Sequence, residues 1–228
     1  MTSVDPRNLA GYIQHTLIEA DATRDRMVRH AREAAEWGFN AAMVPGSWVP
    51  VVASELAGTG VVVASALDFP TVGTMTSAGK AAEAAELVRL GAGQIDIGVQ
   101  VGWLKSGMWD EFREDIAGVV RASGVPIKVM LELPLLTAAE RTTAVELSIE
   151  AGAAYLKNAS SGAIETANPQ SIEWLVAAAN GRALVKASGS IKSLEQVVSL
   201  IEAGASLVGT SAGIAIVTGS ANPSTVSY

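Results

Sequence analysis

Short apolar segments and helix-like segments alternate eight times along this chain, and that alternation restricts its fold more than any other feature. Strands that alternate with helices form a parallel sheet joined by right-handed crossovers. Eight such units can close the sheet into a (β/α)8 TIM barrel, which is the predicted fold. The predicted strands cover residues 12–18, 39–44, 61–67, 94–101, 126–131, 153–157, 183–186 and 206–209. The predicted helices cover residues 23–37, 48–57, 78–90, 109–122, 138–150, 169–179 and 194–202, and a short helix follows the last strand.

A weak internal repeat supports the barrel. Glycine next to alanine recurs where a predicted helix meets the next strand, at Gly91, Gly152 and Gly204. These positions are each separated by about two βα units. An open, doubly wound sheet with fewer strands remains the alternative. No stretch is typical of a linker, so we expect one domain over residues 1–228, with residues 217–228 as a mobile C-terminal tail.

Composition excludes several classes of protein. The chain has 228 residues, of which 49% are hydrophobic, and this is enough for one well-buried core. Its net charge of −7 disfavours a nucleic-acid partner or an anionic membrane surface. The absence of cysteine excludes disulfides, thiol nucleophiles and cysteine-based zinc sites. The N-terminus is too polar for a secretory signal and the longest apolar run is too short to span a bilayer, so we expect a cytoplasmic protein.

Three predicted strands carry a lysine at a constant interval of 29 residues: Lys128, Lys157 and Lys186. Parallel strands that are covered on both faces are normally apolar throughout, so recurring lysines are unusual. Side chains alternate between the two faces of a strand. Asp96 therefore faces the barrel interior together with Gln94, Gly98 and Gln100, and the inward face of the next strand carries Lys128, Met130 and Glu132. Strands four to seven are thus each predicted to point an ionisable group into one lumen.

Such a cluster suits imine chemistry. A neutral amine can attack a carbonyl, and a nearby cation or a desolvated pocket lowers the pKa of an attacking lysine. Asp96 could balance the charge and, with Lys186 and a water, move protons. A purely structural network of buried ion pairs is the competing interpretation.

Loops rich in glycine and serine follow the last three predicted strands: Ser161-Gly162, Gly189-Ser190 and 209–213. Backbone N–H groups in such loops bind anions, and the loops after strands seven and eight commonly hold phosphate in these barrels. Tight turns alone would also explain the small residues. We interpret His15 as structural and His30 as a surface residue. The chain lacks a Walker loop, a dinucleotide fingerprint and a His-Glu-x-x-His pair, so neither a cofactor nor a metal is predicted.

Several motifs together resemble the deoxyribose-phosphate aldolase family over nearly the whole chain. The motifs are His15-Thr16-Leu17, Phe69-Pro70, Ile95-Asp96, Leu104-Lys105-Ser106-Gly107, Lys128-Val129-Met130-Leu131-Glu132, Leu135-Leu136-Thr137, Lys157, Lys186-Ala187-Ser188-Gly189 and 209–213. The resemblance implies a metal-independent class I aldolase in which Lys157 forms a Schiff base, Lys186 perturbs it and Asp96 takes part in proton transfer. It also implies that Gly162, Gly189, Ser190 and Ser211 hold a phosphate. Lys128 is a further predicted substrate contact.

The resemblance implies substrates as well: 2-deoxy-D-ribose 5-phosphate, glyceraldehyde 3-phosphate and acetaldehyde, used in nucleoside catabolism. Some members assist proton transfer with a C-terminal tyrosine, and this chain ends in Tyr228. A homodimer is one option for the assembly. The chain departs from the usual family pattern at Gln14 for aspartate, Asp68 for glycine, Gln100 for asparagine, Leu133-Pro134 for Thr-Gly, Ser190 for glycine, and a run at 158–163 that is one residue longer, with Ala163 where a lysine or an aromatic is common. A Schiff-base aldolase with another substrate, a noncatalytic sugar-phosphate-binding paralogue and a barrel isomerase therefore remain alternatives.

Overall fold

Eight parallel strands pair in sequence order and close into a barrel in the computed structural model, which describes residues 8–220. The strands are β1 Ile13–Thr16, β2 Ala41–Val44, β3 Val62–Leu67, β4 Gln94–Gly98, β5 Ile127–Met130, β6 Tyr155–Lys157, β7 Leu184–Ser188 and β8 Leu207–Thr210. The helices are α1 Arg24–Trp37, α2 Val49–Leu56, α3 Ser77–Arg89, α4 Val101–Lys105, α5 Trp109–Ser123, α6 Ala138–Glu150, α7 Pro169–Ala179, α8 Leu194–Glu202 and α9 Gly213–Thr218. The predicted (β/α)8 TIM barrel is confirmed.

Local sequence signals explain where the helices begin and end. Thr137 precedes α6, where its side chain accepts a hydrogen bond from the Glu140 N–H while the Glu140 carboxylate accepts one from the Thr137 N–H. Ser193 and Gln196 form the same reciprocal cap at α8. Such caps satisfy N–H groups that have no partner within the helix. The predicted bounds of α6, α7 and α8 match the structure residue for residue.

Strand β4 is shorter than predicted. The alternating pattern predicted a strand over 94–101, but the strand ends at Gly98 and α4 begins at Val101. A Cβ at position 98 would lie 2.4 Å from the carbonyl oxygen of Asp68, so the backbone there passes directly against the loop after β3. At the other end of the chain, residues 217 and 218 belong to α9, so this part of the predicted tail is helical. The rest of the tail from residue 221, with Tyr228, lies outside the described residues.

The barrel interior is divided into an apolar part and a charged part. Ala41 and Met43 of β2 and Ala64 of β3 form a small apolar cluster that is separate from the main core between the sheet and the helices. Strand register places Asp96 beside Lys128 and Lys157 beside Lys186. Four ionisable side chains on consecutive strands are thereby brought to similar depths. Among the residues described, none of the helices has the length and apolar character that crossing a membrane requires.

Candidate active site

The carboxylate of Asp96 lies at the centre of a cluster of three lysines inside the barrel. Its Oδ2 accepts hydrogen bonds from Lys186 Nζ at 2.6 Å and from Lys157 Nζ at 3.1 Å, while its Oδ1 lies 3.2 Å from Lys128 Nζ. Lys157 is the most exposed of the four side chains, at 7%, and the other three are almost completely buried. The structure therefore brings together the four ionisable groups that strand alternation predicted.

Burial and charge act against each other in this lysine cluster. Burial by itself would raise the pKa of Asp96, but the charges of the three lysines and the hydrogen bond from Lys186 hold that pKa well below its usual value. Burial lowers the pKa of Lys186 strongly and that of Lys128 as well, although Asp96 opposes both shifts. Because three amines share one carboxylate at hydrogen-bonding or ion-pair distance, the cluster favours the loss of a proton from an amine.

An open cavity reaches the lysine cluster from the C-terminal ends of the strands. Asp96, Lys157 and Lys186 contribute to its wall, and Lys157 is the more exposed of these two amines. Another part of the lining is apolar and consists of Ile18, Met43, Ala66 and Phe69. The cavity thus combines an amine, a carboxylate and apolar surface, which is the composition expected of a small-molecule site.

Gly189, Ser190 and Ser211, three of the predicted phosphate ligands, line the same cavity. Gly189 has φ +122°, and a Cβ there would lie 2.0 Å from the carbonyl oxygen of Glu165, so only glycine fits. Ser190 follows in the left-handed region with φ +50°. This conformation explains why a glycine is usual at that position, and the structure tolerates serine there at some conformational cost.

Gly162 and Lys128, the remaining predicted substrate contacts, do not line this cavity. Lys128 is fully buried, and its Nζ is directed at Asp96 and lies 5.8 Å from the ring centroid of Tyr155. It therefore contacts the carboxylate inside the barrel and does not reach the space that a substrate could occupy.

Sequence reasoning missed Ser160 and Lys192, which also line the cavity. The Ser160 N–H donates to Glu132 Oε1 at 2.7 Å. Burial raises the pKa of Glu132. Lys192 is exposed at the mouth of the cavity and follows Gly189 by three residues. Its place in the loop after a predicted strand is the sequence feature that could have identified it as a site residue.

A second buried ion cluster was also missed. Lys80 of α3 is fully buried, and its Nζ donates to Asp115 Oδ2 at 2.7 Å and to the carbonyl oxygen of Gly98 at 2.8 Å. Asp68 Oδ2 lies 3.1 Å from the same ammonium. The Asp68 carboxylate also accepts the backbone N–H groups of residues 73, 74 and 75. This Lys80 cluster ties the loop that carries Phe69 to the end of β4, two residues after Asp96.

The two histidines lie outside the cavity lining and contact each other. His15 and His30 stack with ring centroids 4.3 Å apart, and His15 Nε2 lies 3.5 Å from Glu33 Oε2. The structural role predicted for His15 agrees with this packing, but the surface position predicted for His30 is wrong, since it is buried and burial lowers its pKa well below the usual value. With Glu33 they offer three potential metal ligands. A metal ion bound by both imidazoles would have to lie close to the plane of each ring. The two rings are stacked face to face, with 26° between their planes, and this arrangement does not suit coordination of one ion.

Known proteins resemble this chain over almost its full length. A deoxyribose-phosphate aldolase from Methanothermobacter thermautotrophicus is 41% identical over 212 residues, which covers 92% of this chain and 94% of that protein. The chain belongs to the deoxyribose-phosphate aldolase family. A family member from Brevibacillus brevis is 40% identical over 213 residues, covering 93% of this chain and 96% of its own. No protein-family model matches the chain.

Solved structures of deoxyribose-phosphate aldolases and related aldolases share the fold. The aldolase QR15 superposes with a TM-score of 0.86 at 32% identity, covering 96% of both chains. The deoxyribose phosphate aldolase from Aeropyrum pernix, described as having a unique tetrameric structure, superposes with a TM-score of 0.85 at 28% identity over 93% of this chain and 91% of that one. Because the shared fold extends over nearly the whole barrel, the lysine cluster lies in a family scaffold.

Proposed function

We propose that this protein is a class I aldolase that reversibly cleaves 2-deoxy-D-ribose 5-phosphate into D-glyceraldehyde 3-phosphate and acetaldehyde through a Schiff base on Lys157. The observation that carries the proposal is the position of Lys157 Nζ, on the cavity wall and 3.1 Å from Asp96. The relatives named deoxyribose-phosphate aldolase support the choice of substrate. Nucleoside catabolism in the cytoplasm is the proposed setting.

The first step is imine formation. The neutral amine of Lys157 attacks the C1 aldehyde of the open-chain sugar, and the resulting carbinolamine loses water to give a protonated imine. Proton transfers are needed in both parts of this step. Asp96, bonded to Lys157 and Lys186, is placed to pass a proton through a water between the amine and the departing hydroxyl.

The second step breaks the bond between C2 and C3. Removal of the proton from the C3 hydroxyl forms the carbonyl of glyceraldehyde 3-phosphate, and the electron pair of the broken bond moves into the imine to give an enamine. Protonation of the enamine at C2 and hydrolysis then release acetaldehyde and return Lys157 as an amine. Lys157 carries the substrate during this step, so Asp96, with Lys186 and a water, accepts the C3 hydroxyl proton and returns a proton to C2 of the enamine.

The phosphate group is proposed to bind to Gly189, Ser190 and Ser211. These residues line the cavity together with Lys192, whose exposed ammonium adds positive charge at the mouth. The left-handed backbone of residues 189 and 190 presents consecutive N–H groups, a geometry that suits an anion. The apolar residues Met43 and Phe69 of the lining suit the carbon chain near the amine.

A coupled assay tests the proposed activity. Acetaldehyde released from deoxyribose 5-phosphate is reduced by alcohol dehydrogenase, and the loss of NADH is recorded for the wild-type protein, Lys157→Ala and Lys105→Ala. Lys105 is a suitable control because it forms a surface ion pair with Glu140. Turnover by the wild-type protein and Lys105→Ala, but not by Lys157→Ala, is expected. Equal turnover by all three would refute the Schiff-base role, and no wild-type turnover would favour a related substrate.

A further inference from the structure

The ammonium group of Lys186 forms hydrogen bonds with the side-chain amide of Gln14 as well as with Asp96. Its Nζ donates to Gln14 Oε1 at 2.7 Å and to Asp96 Oδ2 at 2.6 Å. Gln14 projects from β1 and is fully buried. Because an ammonium group can only donate hydrogen bonds, the oxygen of the Gln14 amide must face Lys186.

Two further amides fix that orientation. Gln14 Nε2 donates to Gln94 Oε1 at 2.7 Å and to Asn40 Oδ1 at 3.1 Å. Both donor positions of the Gln14 amide group are thus used by oxygen acceptors, and the opposite rotamer would place oxygen against oxygen. Gln14, Asn40 and Gln94, here called the amide triad, come from three different parts of the barrel wall and have no formal charge.

More positive than negative groups surround Lys186. The titratable groups that act on it are Asp96 from β4, Lys157 from β6 and Lys128 from β5. From β8, the neighbouring position is Gly209, where a Cβ would lie 3.1 Å from Lys186 Cε. From β1, the neighbouring group is the neutral Gln14. Asp96 is therefore the one carboxylate that contacts Lys186 among residues 8–220.

We propose that Gln14 is a positioning residue that holds Lys186 against Asp96 with a neutral acceptor, so that Lys186 contacts one carboxylate and not two. A carboxylate at this position would place a second negative charge in hydrogen-bonding contact with Lys186 and would stabilise its protonated form. The amide provides the same directional contact without that charge. The proposed consequence is that the cluster releases a proton readily while Lys186 stays aligned with Asp96.

The role of Gln14 in catalysis rests on the proposed function, but the test of its effect on Lys186 does not require turnover. The titration of Lys186 is followed by NMR in protein labelled with ¹³C and ¹⁵N at lysine, with Lys186→Arg used for assignment. The variants are Gln14→Glu, which adds a charge at nearly constant shape, and Gln14→Met, which removes the acceptor. We expect Gln14→Glu to raise the midpoint by about 1–3 pH units and Gln14→Met to lower it.

Opposite shifts distinguish positioning from a structural role, because loss of packing would lower stability in both variants without separating the midpoints. A midpoint that does not rise in Gln14→Glu, or one that rises in Gln14→Met, overturns the proposal. If Gln14→Glu does not fold, Gln94→Met replaces it: removing the amide that orients Gln14 should lower the midpoint, and unchanged midpoints in both methionine variants overturn the proposal.

A parallel activity measurement separates this proposal from the proposed function. The acidic limb of the pH dependence of kcat/KM for deoxyribose 5-phosphate should move to higher pH in Gln14→Glu, by an amount similar to the NMR shift. If the wild-type protein has no aldolase activity, the proposed function fails, and the NMR midpoints still decide the role of Gln14.

Discussion

The Nζ of Lys157 lies 3.1 Å from Oδ2 of Asp96, and the same oxygen accepts a shorter hydrogen bond from Lys186. One carboxylate thus connects two amines of the cavity wall, of which Lys186 is the more deeply buried. The site therefore differs from an ion pair closed off within a core, because Lys157 lies in the wall of an open cavity.

Replacement of Asp96 by asparagine should have a large effect on both activity and stability. The variant leaves three buried amines without a carboxylate, and breaking a buried pair in this way costs about 3–5 kcal/mol. We expect at least about a hundredfold loss of kcat, in line with the loss of a group that transfers protons. Urea denaturation and the coupled assay measure the two effects. Asp110→Asn, which changes a surface carboxylate, is the control, and equal behaviour of the two variants would contradict the central position of Asp96.

The lowered pKa of Lys186 predicts a specific dependence of stability on pH. Its folded-state pKa lies well below the ordinary value of 10.5, so the unfolded chain binds more protons in the interval between the two. The free energy of unfolding should therefore rise with pH up to about 10.5 through this group. Denaturation at several pH values should show a steeper rise for the wild-type protein than for Lys186→Met. Parallel curves would contradict the lowered pKa.

The Lys80 cluster should be important for stability although it does not line the cavity. Lys80→Met would leave Asp68 and Asp115 buried without their shared cation, and we expect a loss of about 3–5 kcal/mol. Thermal unfolding compares this variant with Arg89→Ala, which breaks an exposed pair with Glu86 and should unfold at the wild-type temperature. Similar unfolding temperatures for both variants would refute the structural importance of the cluster.

The backbone at Gly189 should not accept a side chain. Gly189→Ala would place Cβ against the carbonyl oxygen of Glu165, so we expect reduced stability and a raised KM for the phosphorylated substrate. Gly118→Ala is a matched control within α5, where no atom lies within 4 Å of the added Cβ. That change should stabilise the protein by about 0.5–1 kcal/mol. Opposite signs for the two substitutions are the expected result, and a loss in both would contradict it.

The sequence was most informative where strand geometry controls side-chain direction. A period of two along each strand and a constant repeat between strands were enough to place Asp96, Lys157 and Lys186 in one lumen. The same period failed just beyond Gly98, since the alternation of apolar residues continues although the backbone leaves the sheet for α4. Alternation reports which face a residue occupies only while the strand continues.

Helical residues were harder to place. Lys80 lies in a helix rich in alanine and glutamate, and such a sequence has no strong apolar face to show which side packs on the sheet. His30 lies among arginines in α1 and yet contacts His15 across the helix–sheet interface. The contact between Gln14 and Lys186 joins residues 172 positions apart, and no local pattern could reveal it.

Trapping of the imine tests the central claim most directly. The protein is incubated with acetaldehyde and sodium borohydride, and the reduced adduct is located by peptide mass spectrometry. We expect one ethyl group on the peptide that contains Lys157, and no addition at the corresponding peptide of Lys157→Ala. An adduct that is absent from the wild-type protein, or one that forms at another lysine and survives Lys157→Ala, would contradict the assignment of Lys157 as the Schiff-base residue.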